Sequence, residues 1–303
     1  MTEIKVEQQY ETNIAKAFAL LSENPSLVFK IMMRKAFTDM QPFPELPAIR
    51  TINGIQFPFH FNFDLVQTKG QDDYTRSVIK GMYYGSYEML VVETMRRYLQ
   101  PGQVFVDVGA SLGYLAAVAA SLVGVTGQVH CFEPVPQYFQ NIVRLAELNP
   151  DYVISAHEKA LGEEPGTFMM NVDTDIYCGS TLAAAAPSQS SIQVSVTTLD
   201  DYVQSTGLAR MDLLHIEVEG FEMPVLKGAQ RYFERHRPPI ICAIYPAYYP
   251  VQGYSLADLK AYMDDCGYAA HKLSQPSKPI NITELREHTL VLFLPVNGGV
   301  SVS

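Results

Sequence analysis

The spacing of apolar positions changes period several times along the chain. Helical spacing covers Tyr10 to Leu21 and again Ser26 to Phe37, and the second stretch is entered through Asn24-Pro25, a favoured opening for a first helical turn. From Ile49 to Phe63 the period shortens. There Ile52-Asn53-Gly54-Ile55 sets Asn-Gly between β-prone residues, which predicts a small hairpin because both residues tolerate the positive φ of a tight turn. Helical spacing returns over Tyr87 to Leu99, and Pro101-Gly102 ends it.

Beyond that break, short apolar runs alternate with amphipathic stretches. Val104 to Asp107, Gln128 to Phe132, Leu213 to Val218, Ile240 to Tyr245 and Thr289 to Leu294 read as strands. Leu112 to Val123, Tyr138 to Asn149, Met223 to His236 and Leu256 to Cys266 read as helices. This alternation predicts an α/β fold, with right-handed crossovers and a parallel sheet covered on both faces. No repeat of fixed period is present, and the Ala- and Ser-rich run Leu182 to Ser191 reads as a loop or mobile flap. The chain divides into residues 1–85, two helices plus the hairpin acting as a cap or a homodimer contact, and residues 86–303, the main fold.

Composition narrows the function. At 303 residues, 48% hydrophobic and 18% charged, the chain has ample material for a large core, which excludes disorder as its dominant state. A net charge of −10 argues against nucleic acid and anionic membrane as partners, since both need clustered positive charge. Cys131, Cys178, Cys242 and Cys266 are too far apart in sequence for a zinc motif or a short disulfide framework and read as reduced thiols. With no apolar leader and no membrane-length apolar run, the expectation is a soluble cytoplasmic protein acting on a small molecule.

The first strand of the main fold runs Val104-Phe105-Val106-Asp107-Val108-Gly109-Ala110-Ser111-Leu112-Gly113 straight into a helix. Its glycines let the backbone approach a ligand closely. A dinucleotide site would carry Gly-x-Gly-x-x-Gly with a diphosphate at the helix start. Here Asp107 stands where the first glycine belongs, and its carboxylate would repel that diphosphate. A cationic or zwitterionic ligand fits better. Glu133, twenty residues beyond Gly113 at the end of the second strand, is placed to accept ribose hydroxyls. A ribose without a bridging diphosphate, next to a positive charge, describes S-adenosylmethionine.

The chain resembles the FkbM-type S-adenosylmethionine-dependent methyltransferases over about residues 48–295. The resemblance rests on Gly85-Ser86-Tyr87-Glu88, Val106-Asp107-Val108-Gly109-Ala110, Phe132-Glu133-Pro134, Ala160-Leu161-Gly162 and Thr198-Leu199-Asp200-Asp201. It is strongest in Ile216-Glu217-Val218-Glu219-Gly220-Phe221-Glu222 followed by Val225-Leu226-Lys227-Gly228-Ala229. The resemblance implies a class I methyltransferase fold, a mostly parallel Rossmann-like sheet with a reversed last strand, and O-methylation of a sugar, polyketide or other secondary metabolite. It places Glu88, Asp107, Gly109, Ala110, Ser111, Gly113 and Tyr114 along the methionyl side, Glu133 and Pro134 at the ribose, and Lys159, Ala160 and Leu161 beside the adenine. The family usually has lysine and aspartate where this chain has His215 and Glu217. It often has glutamate at Ala243 and commonly histidine at Tyr245.

A two-residue period through His215-Ile216-Glu217-Val218-Glu219 sends His215, Glu217 and Glu219 to one face. That face lies at the carboxyl end of a central strand, where ligands of open α/β sheets bind. These three are the candidate catalytic groups, with His215 the first choice of base and Glu217 the second. A divalent cation on Glu217 and Glu219 is conceivable, but the spacing does not specify one. Tyr245, Tyr248 and Tyr249, in an aromatic, proline-stiffened loop, are expected to line the hydroxylated acceptor together with the hairpin run Phe57 to Phe61. His130 and His157 read as ordinary sheet histidines. Two alternatives remain: a non-catalytic binding or scaffold protein on the same fold, and a nicotinamide-dependent oxidoreductase, which Asp107 disfavours.

Overall fold

The computed structural model of the chain describes residues 25–45, 48–59, 73–172 and 190–296. The expected helix at Tyr10 to Leu21, the second half of the run Phe57 to Phe61, most of the Leu182 to Ser191 stretch and Cys178 lie outside them. Helix α1 (Pro25–Met40) is followed by the hairpin β1 (Ala48–Ile52) and β2 (Ile55–Phe59), then by α2 (Asp73–Tyr84) and α3 (Met89–Tyr98). The hairpin turns where Asn-Gly predicts. Asn53 and Gly54 both have positive φ, and Ile52 pairs with Ile55.

The main sheet begins with β3 (Val104–Val108), α4 (Tyr114–Val123), β4 (Gln128–Phe132), α5 (Pro136–Leu148) and β5 (Val153–His157). A three-stranded sheet of β6 (Ala160–Leu161), β7 (Gly166–Val172) and β8 (Ser190–Thr197) follows. The chain continues through α6 (Leu199–Thr206), β9 (Leu213–Ile216), α7 (Glu222–Lys227), α8 (Gln230–Arg235) and β10 (Ile240–Ile244). It closes with α9 (Leu256–Asp265), β11 (Tyr268–Lys272), β12 (Gln275–Pro279) and β13 (Thr289–Pro295). The eight-stranded sheet has the order β12-β11-β13-β10-β9-β3-β4-β5. Its centre is parallel, and β13 runs antiparallel between β10 and β11, which is the reversed last strand the resemblance implies.

Both faces are covered, so the pleat sorts successive residues into two cores. Phe105, Leu213 and Ile241 pack toward α3, α4 and α5, together with Ile55 and Phe57 of the hairpin. Val106, Leu214, Ile216 and Cys242 pack toward α6 to α9. The single helix expected over Met223 to His236 is two helices, broken at Gly228-Ala229. A Cβ on Gly228 would lie 2.0 Å from the Gly162 carbonyl oxygen, so only glycine lets these two backbones touch. Buried Asp200 then caps α8, accepting from the N–H groups of Arg231 (2.9 Å) and Tyr232 (2.8 Å).

Candidate active site

The parallel register of β3 and β9 sets Asp107 directly opposite His215. Both belong to the face carrying Phe105 and Leu213, and each side chain is 1% exposed. His215 Nδ1–H donates to Asp107 Oδ1 at 2.8 Å. Burial opposes a charged imidazolium here. The Asp107 hydrogen bond and the charges of Asp107, Glu217 and Glu88 outweigh it and hold the His215 pKa above its ordinary value. Among the described residues, His215 Nε2 and Asp107 Oδ2 have no hydrogen-bond partner. Nε2 lies 3.8 Å from Glu217 Oε2.

The strand stops at Ile216, so a two-residue period does not carry through to Glu219 as the sequence suggests. Glu217 and Glu219 sit instead in the turn that follows, where Glu219 and Gly220 take φ of 52° and 97°. They still converge. The Tyr245 hydroxyl, just beyond β10, lies 3.3 Å from Glu217 Oε1 and 3.2 Å from Glu219 Oε1. Burial, then the Glu217 charge, raises Glu219 to about 7. Burial and both carboxylates push the Tyr245 phenol well above its ordinary value, so it stays a hydroxyl.

The turn after β3 closes over this cluster. Gly109 has φ +86°, and a Cβ there would lie 1.9 Å from the Glu217 carbonyl oxygen. The N–H groups of Gly109 and Ala110 both donate to the Phe132 carbonyl (3.0 and 3.1 Å). Ser111 N–H donates to Glu133 Oε2 and Val135 N–H to Glu133 Oε1, each at 2.8 Å. Glu133 is 4% exposed, and burial raises it to about 7 against those two hydrogen bonds. Pro134 adjoins it at partial exposure. Gly113, the last residue before α4, also has positive φ and abuts Ile142. Glu88, just before α3, takes φ 46°, and burial, then the Glu217 charge, raises it to about 8.

The other expected site residues differ in burial and surroundings. Tyr114 is 5% exposed and meets Phe57 and Tyr87 edge to face, so its ring belongs to the core. Ala160 and Leu161 are buried and paired with β8, while Lys159 is exposed. Tyr249 departs from the expected acceptor wall. It is 1% exposed in the core beside Glu222, because the two 3₁₀ turns after β10 fold it inward. Tyr245 and Tyr248 stay partly exposed, their ring centres 6.3 Å apart.

Glu222 is a polar residue the sequence reading did not single out. It is fully buried, accepts from Gly220 N–H at 2.7 Å, and is raised to about 8 by burial. Its signal was the closely spaced Glu-Gly-Phe-Glu string, in which an acid so near a positive-φ glycine is positioned to cap the turn. His130 and His157 form a separate network, both bonded to the Tyr202 hydroxyl at 2.7 and 2.9 Å. Burial lowers His130 to about 4 and lowers His157 as well. Among the described residues, no group of three His, Cys, Asp or Glu side chains is arranged to hold a metal ion, and no helix is long and apolar enough to cross a membrane.

The raised carboxylates fix a pH dependence. Glu88, Glu133, Glu219 and Glu222 keep their protons in the fold to about 7 or 8, whereas the unfolded chain releases them near 4.5. The unfolded state therefore binds fewer protons across that window, and stability is lost as pH rises through it. His215, raised in the fold, adds a loss of the same sign above its ordinary range. His130, depressed to about 4, acts oppositely, and its contribution is complete by about pH 6.5. The ligand-free protein is expected to have a lower urea midpoint at pH 8 than at pH 6; an equal or higher midpoint at pH 8 contradicts this assignment.

The family model described as Methyltransferase FkbM domain matches residues 107–270. "Methyltransferase 1" of Beauveria bassiana (strain ARSEF 2860) is 29% identical over 116 residues, covering 32% of this chain and 47% of that protein. The chain thus spans less than half the length of that curated relative. Among solved structures, the methyltransferase FkbM of Methylobacillus flagellatus KT aligns at 19% identity and a TM-score of 0.42, over 76% of this chain and 57% of its own. The precorrin-6y C5,15-methyltransferase of Geobacter metallireducens GS-15 aligns at 16% identity and a TM-score of 0.39, over 69% of this chain and 88% of its own.

Proposed function

The chain belongs to the FkbM methyltransferase family, whose domain covers more than half of it, and on that premise we propose that it methylates a hydroxyl of a small-molecule acceptor using S-adenosylmethionine. One observation carries the choice of cofactor. Glu88, Asp107, Glu133 and Glu217 surround the end of β3 and β9 with no Lys or Arg ion-paired to any of them among the described residues, and two of the four are raised to about 7 or 8. Carboxylates clustered in this way, two of them buried, favour an incoming cation and oppose a diphosphate. Bound there, S-adenosylmethionine supplies a positively charged sulfonium whose methyl group is open to in-line attack by an oxygen.

The side chains divide the remaining work. Glu133, fixed by two backbone N–H donors, keeps lone pairs to receive ribose hydroxyls. Asp107 and His215 are sealed behind the crevice, where the surrounding carboxylates favour a proton on the imidazole. Glu217, 23% exposed, is the member of the cluster that an acceptor hydroxyl reaches, and it takes the hydroxyl proton. This reverses the order of preference that the sequence suggests, because His215 is buried too deeply to touch an acceptor. Tyr245 holds the Glu217 and Glu219 carboxylates together, and with Tyr248 it lines the acceptor side. Positioning supplies most of the acceleration, since orienting two reactants is worth roughly 7–11 kcal/mol.

Calorimetry tests the cofactor assignment. S-adenosylmethionine and S-adenosylhomocysteine are expected to bind and NAD not to. S-adenosylmethionine should release protons at pH 7, read as a dependence of the binding heat on the buffer's ionisation enthalpy, because its positive charge pulls down the raised Glu88 and Glu133. NAD binding in its place overturns the proposal. Binding without labelled-methyl transfer to any member of a panel of hydroxylated metabolites supports the scaffold reading instead.

A further inference from the structure

A second cavity, of about 670 Å³, lies between α1, the hairpin, and the segment from α2 into α3, within the usual range for small-molecule sites. Tyr87 and Met89 line it, whereas the intervening Glu88 interacts with Glu217 and His215. The Gly85 to Met89 turn therefore separates this cavity from the methyl-transfer crevice. Its lining is rich in aromatic rings: Phe29, Met33 and Phe37 from α1 contribute to it, as do Tyr83, Tyr87 and the edge of the otherwise buried Tyr114.

Its charge is opposite to that of the protein. Lys30, Arg34, Arg50 and Arg96 line it against the single carboxylate of Glu93, in a chain whose net charge is −10. Glu93 is engaged by Lys30 at 2.8 Å and Arg96 at 3.8 Å. Among the described residues, no carboxylate pairs with Arg34 or Arg50. The Arg50 guanidinium lies 4.5 Å from the Tyr83 ring centre and 5.6 Å from that of Tyr84. Arg34 donates to the Gly85 carbonyl at 3.4 Å and lies 5.8 Å from the Phe37 ring centre. A guanidinium stacked on rings keeps its in-plane donors available, and those donors match the oxygens of a carboxylate or sulfonate.

We propose that this cavity binds a small organic anion with a planar aromatic body, its acidic group on Arg34 and Arg50 and its ring against the tyrosines and Phe37. The site is independent of the methyl-transfer reading. The probes are 8-anilinonaphthalene-1-sulfonate and N-phenyl-1-naphthylamine, which share a ring system but differ in the sulfonate. The sulfonate is expected to bind the full chain at one equivalent, about tenfold or more tightly than the neutral amine, and more weakly as salt rises. Saturating S-adenosylhomocysteine should not displace it. Arg50→Glu should weaken it by about tenfold or more while leaving S-adenosylhomocysteine affinity intact, which also shows that the variant is folded. Equal affinity for the two probes, displacement by S-adenosylhomocysteine, or full binding to a folded Arg50→Glu protein each overturns the proposal. The comparison of the two probes on the unaltered chain holds even where the variant fails to fold.

Discussion

Glu217→Gln is expected to lower methyl transfer by about 10²–10⁴-fold, the usual contribution of a positioned base, with little change in affinity for uncharged-sulfur S-adenosylhomocysteine. The amide keeps the shape of the side chain and a carbonyl oxygen for the Tyr245 hydroxyl, now 3.3 Å from Oε1, but it cannot take a proton. His215 cannot substitute for it. Its Nδ1 is occupied by Asp107 and its side chain is 1% exposed, which on the proposed mechanism leaves Glu217 as the group that takes the proton. The measurement is single-turnover transfer of labelled methyl at saturating cofactor. Undiminished turnover would remove Glu217 from proton transfer and leave Glu219, the other carboxylate at Tyr245, as the group to examine.

Gly109→Ala should cost on the order of 4 kcal/mol of stability, at the severe end for a single substitution, and abolish cofactor binding in whatever folds. Two costs coincide at this position. An L side chain is disfavoured at φ +86°, and its Cβ would fall 1.9 Å from a main-chain oxygen of Glu217, which has no rotamer with which to move away. Relief requires β3 and the end of β9 to separate, and that separation pulls Asp107 from His215. Equilibrium urea unfolding checks the first effect and calorimetry the second. A near-neutral result would overturn the requirement for glycine at this turn.

The parts of this architecture that were legible in the sequence are those fixed by local stereochemistry. Asn53-Gly54 admits one kind of hairpin turn. The Asp107 to Gly113 run demands a strand, a turn with positive φ and a helix. The elements that escaped are set by partners distant in sequence. Gln275 to Pro279 carries two prolines and no apolar alternation, so only the edge of β11 makes it a strand. The three-stranded sheet was half visible, since Ile192, Val194 and Val196 alternate as a half-buried strand should, but nothing local names β7 as the neighbour. Pleat periodicity put His215, Glu217 and Glu219 on one face, but it overreached past Ile216, where a turn rather than a strand brings Glu217 and Glu219 together, and nothing local named Asp107 as the partner of His215. Tyr249 was misplaced for a related reason: whether a ring in a proline-rich loop faces in or out depends on the loop's path.

The position of β13 bears on how the protein is made. It slots between β10 and β11, so a growing polypeptide that has emerged from the ribosome as far as β12 has every other strand of the large sheet in hand but a gap inside it. Until Thr289 to Pro295 arrives, β10 and β11 present bare hydrogen-bonding edges to the cell, and such edges recruit foreign strands. Completion of the sheet therefore waits for its last strand, and in that interval the two inner edges stay open to unwanted pairing.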